Sequence, residues 1–384
     1  MNTSRRIYLP PLSIVGPDAL QDLKSELEES TFQKALLVTD KILTDIGLAG
    51  EVEQMLSAAG LEYELFTDVK QNPTVENVHK GLDKLQQSAC DCIITLGGGS
   101  PQDCGKAIGI LATNGGNIRD YEGIHQSAKP SLPIIAINTT AGTASEITIN
   151  YVITDEERKV KMVMVDKHCL VQIAVNDPKL MMKKPAALTA ATGMDALTHA
   201  IEAYITKGAF EWSDTLALKA INLISESLAD AVADGDNLNA RSKMAWGQFI
   251  AGQAFSNCGL GYVHSMAHQL GGTYDLPHGV CNAILLPHVI SFNAPSCPEK
   301  LGKVAEAMGY SIEGLSLKEQ EDLLIEAINN LSKQVGIPAG LKELEVKPED
   351  FSLMAENALK DVCTGGNPRE VNLEETVQIF EAAY

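Results

Sequence analysis

Five side chains in the C-terminal half have the spacing of a metal site. In TGMDALTHAIEAY, Asp195 and His199 stand four apart, and in GYVHSMAHQLGG so do His264 and His268. Residues four apart share one face of a helix. His278 follows in DLPHG, a stretch that reads as a turn. The chain has eight histidines, and these three crowd into an apolar, glycine-rich stretch. A buried aspartate or imidazole requires a partner, and VHSMAHQLGG offers few besides these groups. One Asp-x-x-x-His pair alone is more often a surface or capping pair. Two such pairs in apolar surroundings, with a third histidine close by, favour a cation. Four of the five close a set of one carboxylate and three imidazoles, which suits zinc or iron and does not select between them. The spacing leaves open which histidine is left over.

A second pattern lies in the N-terminal half. TLGGGSPQD sits where a strand should meet a helix, with Gly97, Gly98 and Gly99 followed by Ser100. Glycines let the backbone come close to a ligand and adopt positive φ. The free N–H groups of a helix start, with its dipole, suit a phosphate. The run matches neither G-x-G-x-x-G nor GxxxxGK[ST], since Ala107 follows Lys106. It reads either as a tight turn or as a variant pyrophosphate site. Asp40, at the end of an earlier strand, has the chemistry to accept from ribose hydroxyls and to repel a 2′-phosphate. It would serve equally as a helix cap.

The elements that must position these groups fall into two halves. Residues 34–40, 61–68, 90–100 and 132–146 read as strands or strand-plus-loop, separated by helical patterns at 51–60, 74–89 and 101–116. Thr74 is the expected N-cap of the second helix, and Pro101 the expected start of the third. Such alternation implies parallel strands covered by helices. Beyond Pro185 the patterns are helical, as in 187–208 and 216–235. The expected organisation is an α/β domain over 1–185, with a parallel sheet and Rossmann-like nucleotide binding, and an all-α domain over 186–384. The chemistry is expected where the two meet.

Composition narrows the function. The 384 residues carry a formal charge of -20, with 45% hydrophobic residues, so nothing supplies the basic face that nucleic acid requires. No run approaches the roughly 18 apolar residues of a membrane span. Pro10 and Pro11 break the only stretch that mimics a signal peptide. Eight cysteines without a C-x-x-C pair read as thiols of a reducing cytoplasm. The C-x-C of Cys90 and Cys92 is a weak metal signal.

Taken together, ITLGGGSPQD, INTTAGTASEIT, ATGMDALTHAIEAY, GYVHSMAHQLGG, LPHGVCNAILLPH and VCTGGNPRE resemble the iron-containing (group III) alcohol dehydrogenases, end to end. Within that family TINYVITDEE, GGGSPQD and DVCTGGNPRE are most similar to the lactaldehyde reductases (L-1,2-propanediol oxidoreductases). Gln269, where those have proline, and the wording of 162–170 depart from them. The resemblance implies that Asp195, His199, His264 and His278 hold the metal, Fe(2+) or Zn(2+), with His268 beside it as a proton carrier. It implies NAD contacts from Asp40, Asn72, Gly97, Gly98, Gly99, Ser100, Thr139, Thr140, Thr143, Thr148, Asn150 and Lys161. Val152, Phe255 and Cys363 would line the nicotinamide end and the substrate cavity.

The implied reaction is hydride transfer between a small primary alcohol or diol and NAD, in a cytoplasmic homodimer. Ethanol, butanol and 1,3-propanediol remain alternative substrates. A dehydroquinate-synthase-like lyase shares the fold, NAD and metal, but needs a basic pocket that these motifs do not supply. A non-catalytic NAD-binding regulator would have no use for four ligands.

Overall fold

A computed structural model of the chain describes residues 4–182 and 184–384. Two compact units divide it: Met1–Thr140 with Ala144–Met181, and Ala141–Thr143 with Met182–Tyr384.

The first unit is built on a sheet of six strands, β1 (Leu12–Val15), β2 (Lys34–Val38), β3 (Glu62–Phe66), β4 (Cys92–Gly97), β6 (Ile134–Asn138) and β9 (Ile173–Asn176), in the order β1-β9-β6-β4-β2-β3. Every pairing is parallel, as the strand–helix alternation implies. The central strands CIITLG and IIAIN are buried throughout, which is why they read as continuous apolar runs. Five helices accompany them: α1 (Ala19–Glu28), α2 (Lys41–Asp45), α3 (Leu48–Ala58), α4 (Val75–Gln87) and α5 (Gly99–Asn114). Thr74 caps α4 through the Asn77 N–H, and Asn77 returns a bond to the Thr74 N–H. From β2 the chain steps outward to β3, then crosses back so that β4 lies on the other side of β2. Strand order therefore reverses between β2 and β4, and ligands of open α/β sheets bind outside the carboxyl ends of strands at such a point.

A small second sheet, β5 (Gly123–Ile124), β7 (Asn150–Asp155) and β8 (Val160–Val165), holds an antiparallel hairpin that the sequence reading did not assign. Alternate residues of β7 are buried. Asp155, fully buried, ties the hairpin down through Arg119 Nε (2.8 Å) and Arg158 Nε (2.7 Å).

The second unit is helical: α6 (Ala186–Ile205), α7 (Glu211–Ala233), α8 (Leu238–Cys258), α9 (Tyr262–Tyr274), α10 (His278–Asn293), α11 (Pro298–Ala307), α12 (Leu317–Gln334), α13 (Phe351–Ala358) and α14 (Leu373–Ala382). Helix α6 is buried almost continuously from Thr189 to Ile205, so its polar side chains face protein on every side. His278 stands at the first position of α10 rather than in a free turn. Pro277 before it, with its fixed φ, starts the helix there. Among the described residues no helix is long and apolar enough to cross a membrane.

Candidate metal and dinucleotide sites

In the helical unit, α6, α9 and α10 bring the metal candidates together. Ligand atoms of Asp195, His199 and His264 all lie within 4.8 Å of one another. His278 Nε2 stands 3.6 Å and His264 Nε2 3.9 Å from Asp195 Oδ1. The His199 ring stacks between Phe255 (centroids 4.3 Å apart) and His264 (4.4 Å). Phe255, expected against the nicotinamide, is thus a wall of the imidazole cluster.

Burial sets the protonation of this cluster. It pushes His199 down to about 3 and His264 well below its ordinary value, so both rings are neutral and offer the lone pairs a cation needs. The Asn282 amide nitrogen tests whether those lone pairs converge. It lies 2.7 Å from Asp195 Oδ1, 3.1 Å from His278 Nε2 and 3.2 Å from His264 Nε2. Three electron-pair donors face one electropositive group, and an amide has hydrogens for two of them. His199 Nδ1 is buried without a hydrogen-bond partner among the described residues. A divalent cation satisfies such a donor set better than any side chain, so the residues fit the metal.

Two carboxylates absent from the sequence reading hold the histidines. Glu202 Oε2 accepts from His264 Nδ1 at 2.6 Å and from the Gly261 N–H at 3.1 Å, while Oε1 accepts from the Val263 N–H at 2.7 Å. Its burial pushes the carboxyl up to about 7 against those three hydrogen bonds. With Nδ1–H given to Glu202, His264 keeps Nε2 for a metal, the usual arrangement behind a ligating histidine. The signal was present: Asp195, His199 and Glu202 fall at i, i+4 and i+7 of one apolar helix. Asn282 likewise lies four beyond His278.

Asp361 is the second. Its Oδ2 accepts from His268 Nδ1 at 2.8 Å, and its Oδ1 from the Cys363 N–H at 2.9 Å. Burial pushes the Asp361 carboxyl up, but the charge and hydrogen bond of His268 outweigh it, so its pKa falls below the ordinary value. An ionised Asp361 only accepts, so Nδ1 carries the proton and Nε2 is the working atom of His268. The ring stacks on His278 with centroids 5.3 Å apart. His268, Asp361 and Cys363 form a separate close group beside the first, and burial raises the Cys363 thiol well above its ordinary value. No local spacing could have linked Asp361 to a histidine 93 residues away.

In the α/β unit, the glycine run closes β4 and opens α5. Gly97 has φ +151, and a Cβ there would stand 2.5 Å from Pro101 Cγ. A Cβ on Gly98 would meet the Thr140 side chain at 2.9 Å. The helix starts at Gly99, two residues before the expected Pro101. The N–H groups of Gly99 and Ser100 therefore have no acceptor within the helix. Thr139 and Thr140 follow β6 directly alongside, the Thr139 N–H donating to Gly97 O at 3.0 Å. Ser100 Oγ donates to Gln71 O, and Lys161 Nζ to Asn72 Oδ1 at 2.8 Å. Asn150 Oδ1 is buried without a partner among the described residues. Asp40 caps α2, its Oδ1 accepting from the Leu43 N–H at 2.9 Å. Both readings of that residue stay compatible, since the cap takes one carboxylate oxygen. Thr143 falls in the helical unit with Ala141 and Gly142.

Comparison with known proteins places this geometry in a family. The model of iron-containing alcohol dehydrogenases matches residues 10–178, and that of the C-terminal part of the same family matches 189–384. The chain is 48% identical over 383 residues to the lactaldehyde reductase of Escherichia coli K12, covering 99% of this chain and 100% of the relative. It is 46% identical over 376 residues to the NAD-dependent methanol dehydrogenase of Bacillus methanolicus, covering 98% and 99%. A solved 1,3-propanediol oxidoreductase superposes with a TM-score of 0.97 at 49% identity, covering both chains completely. The chain belongs to the iron-containing alcohol dehydrogenase family.

Proposed function

We propose that this enzyme interconverts short primary alcohols or diols and their aldehydes with NAD, using a divalent cation held by Asp195, His199, His264 and His278. The observation that carries the reading is the convergence of Asp195 Oδ1, His264 Nε2 and His278 Nε2 on one point. The cation supplies Lewis acidity to the alcohol or carbonyl oxygen, and NAD supplies hydride chemistry. The chain's own groups do the rest. Glu202 fixes the tautomer of His264, and Asp361 fixes that of His268. Nε2 of His268 takes the alcohol proton in oxidation and returns one in reduction. Phe255 excludes water from one side of His199.

The dinucleotide is assigned to the carboxyl ends of β2, β4 and β6. Gly97–Ser100 and the start of α5 receive the pyrophosphate. Thr139, Thr140, Thr143 and Thr148 flank it, Asn72 and Lys161 meet a ribose, and Asn150 serves the carboxamide end. Asp40 Oδ2 faces the adenosine ribose. Val152 and Cys363 are assigned to the substrate end. Relatives that act on methanol, lactaldehyde and 1,3-propanediol set the size range of the substrate, with 1,2-propanediol and lactaldehyde favoured by the TINYVITDEE and DVCTGGNPRE motifs. Iron is the favoured ion from the family, with zinc as a competitor for the same ligands.

We also read the enzyme as a cytoplasmic homodimer. Eight cysteines without a C-x-x-C pair accord with a reducing compartment. Among the described residues strand β1 has a neighbour on one side only, and an open sheet edge is a template for a second copy. The charge of -20 disfavours nucleic acid and anionic membranes alike.

An anaerobic assay following NADH, with iron or zinc added back and C1 to C4 alcohols and aldehydes as substrates, tests the reading. Turnover of a small alcohol is expected, with kcat/KM at least about tenfold higher for NAD than for NADP, the cost of placing a phosphate against a carboxylate. No turnover with any of them would refute the activity. Equal efficiency with NADP would refute the role of Asp40.

A further inference from the structure

Helix α5 carries two buried ionisable groups just beyond the glycine turn. Lys106 is fully buried. Its ammonium donates to Thr148 O at 2.8 Å, to Asn150 O at 2.8 Å and to Thr148 Oγ1 at 3.3 Å. Asp103 stands one turn earlier on the same face. It accepts from Ser145 Oγ at 2.6 Å and from the Val152 N–H at 2.9 Å. Burial pushes the Asp103 carboxyl up, and the Lys106 charge pulls it back down. A buried ammonium is costly, and an apolar side chain of similar length would fill the same space without that cost. Packing alone therefore does not account for Lys106.

What the two groups hold accounts for it. Asp103 takes both ends of the segment 145–152, and Lys106 takes the carbonyls in its middle. Ser145, Thr148, Asn150 and Val152 are thereby tied to one helix, in part by charge-assisted bonds, the strong kind. The segment contains Thr148, assigned above to flank the pyrophosphate, and Asn150 and Val152, assigned above to the carboxamide and substrate ends. The same helix begins at the pyrophosphate turn, about 10 Å from Lys106 along its axis. We propose that Asp103 and Lys106 are positioning residues: they fix the nicotinamide-side residues Asn150 and Val152 against the pyrophosphate turn, so that α5 sets the spacing between the two ends of the coenzyme site. The inference rests on the NAD reading above.

A purely structural role would lower stability and weaken all coenzyme fragments alike. A positioning role spares the part of the coenzyme that lacks nicotinamide. The test uses the full-length, metal-loaded enzyme and two variants, Lys106→Met and Ser145→Ala. The second removes one end of the grip without leaving a charge unpaired. Affinities for ADP-ribose and NADH are measured, with kcat and the primary deuterium isotope effect on a deuterated alcohol. For Lys106→Met, ADP-ribose affinity is expected to stay within about twofold while kcat falls about a hundredfold, the size of loss that small misplacement of reactants produces. The isotope effect should rise as hydride transfer becomes limiting. Ser145→Ala should move kcat and the isotope effect the same way by a smaller factor, and it decides the matter if Lys106→Met does not fold. Unchanged kcat and isotope effect, or equal losses of ADP-ribose and NADH affinity, would overturn the proposal. A wild-type enzyme that binds neither ligand would instead refute the coenzyme reading, and this inference with it.

Discussion

Replacing His264 with alanine is expected to strip the enzyme of its cation and reduce kcat/KM by at least about a thousandfold. His264 is nearly inaccessible, its Nδ1 is held by Glu202, and its Nε2 faces the point that Asp195 and His278 also face. The variant loses one of four donors and also leaves Glu202 buried without its imidazole partner. Metal-assisted stabilisation of developing charge is worth several kcal/mol, and about 4 kcal/mol corresponds to that thousandfold. Elemental analysis and anaerobic turnover, measured on the same preparation, check it. A variant that keeps one cation per chain and wild-type turnover would show that His264 is not a ligand.

His268→Ala should separate the two functions. The cation should stay at one per chain, while kcat falls about 10²- to 10⁴-fold, the range for loss of a general acid–base group. The ring stacks on His278, so retained metal must be verified rather than assumed. Asp361→Asn gives an internal control. The amide can no longer act as an anionic acceptor for Nδ1–H, so kcat should fall in the same direction with the metal again retained. Loss of metal from His268→Ala would move His268 into the ligand set. Unchanged kcat would reduce it to a wall of the pocket.

How much of this was legible in the residues follows from the range of each signal. Asp195 with His199, and His264 with His268, are local patterns of period four, so both pairs stood out on single helices. The parallel sheet was legible because strands buried on both faces, such as CIITLG and IIAIN, read as continuous apolar runs. The hairpin β7–β8 was missed because its strands bury one face only and meet at the charged turn DEERK, which interrupts both. The sequence pattern puts the start of α5 at Pro101, but the glycines turn into the helix first, and Pro101 fits its first turn. Glu202 was within reach of the same periodicity that revealed His199. Asp361, Lys106 and Asp103 were not. Their partners lie on other elements, and only the fold shows that Lys106 is buried or that Asp361 meets His268.

The measurement that bears most directly on the central claim is an anaerobic titration of ferrous ion into metal-free enzyme, with bound metal and NADH-producing activity followed together. One cation per chain should bind, and activity should rise in proportion until that equivalent is reached, with neither occurring in Asp195→Ala. Full activity before appreciable metal is bound, or binding that leaves the enzyme inert toward every small alcohol tested, would contradict the account.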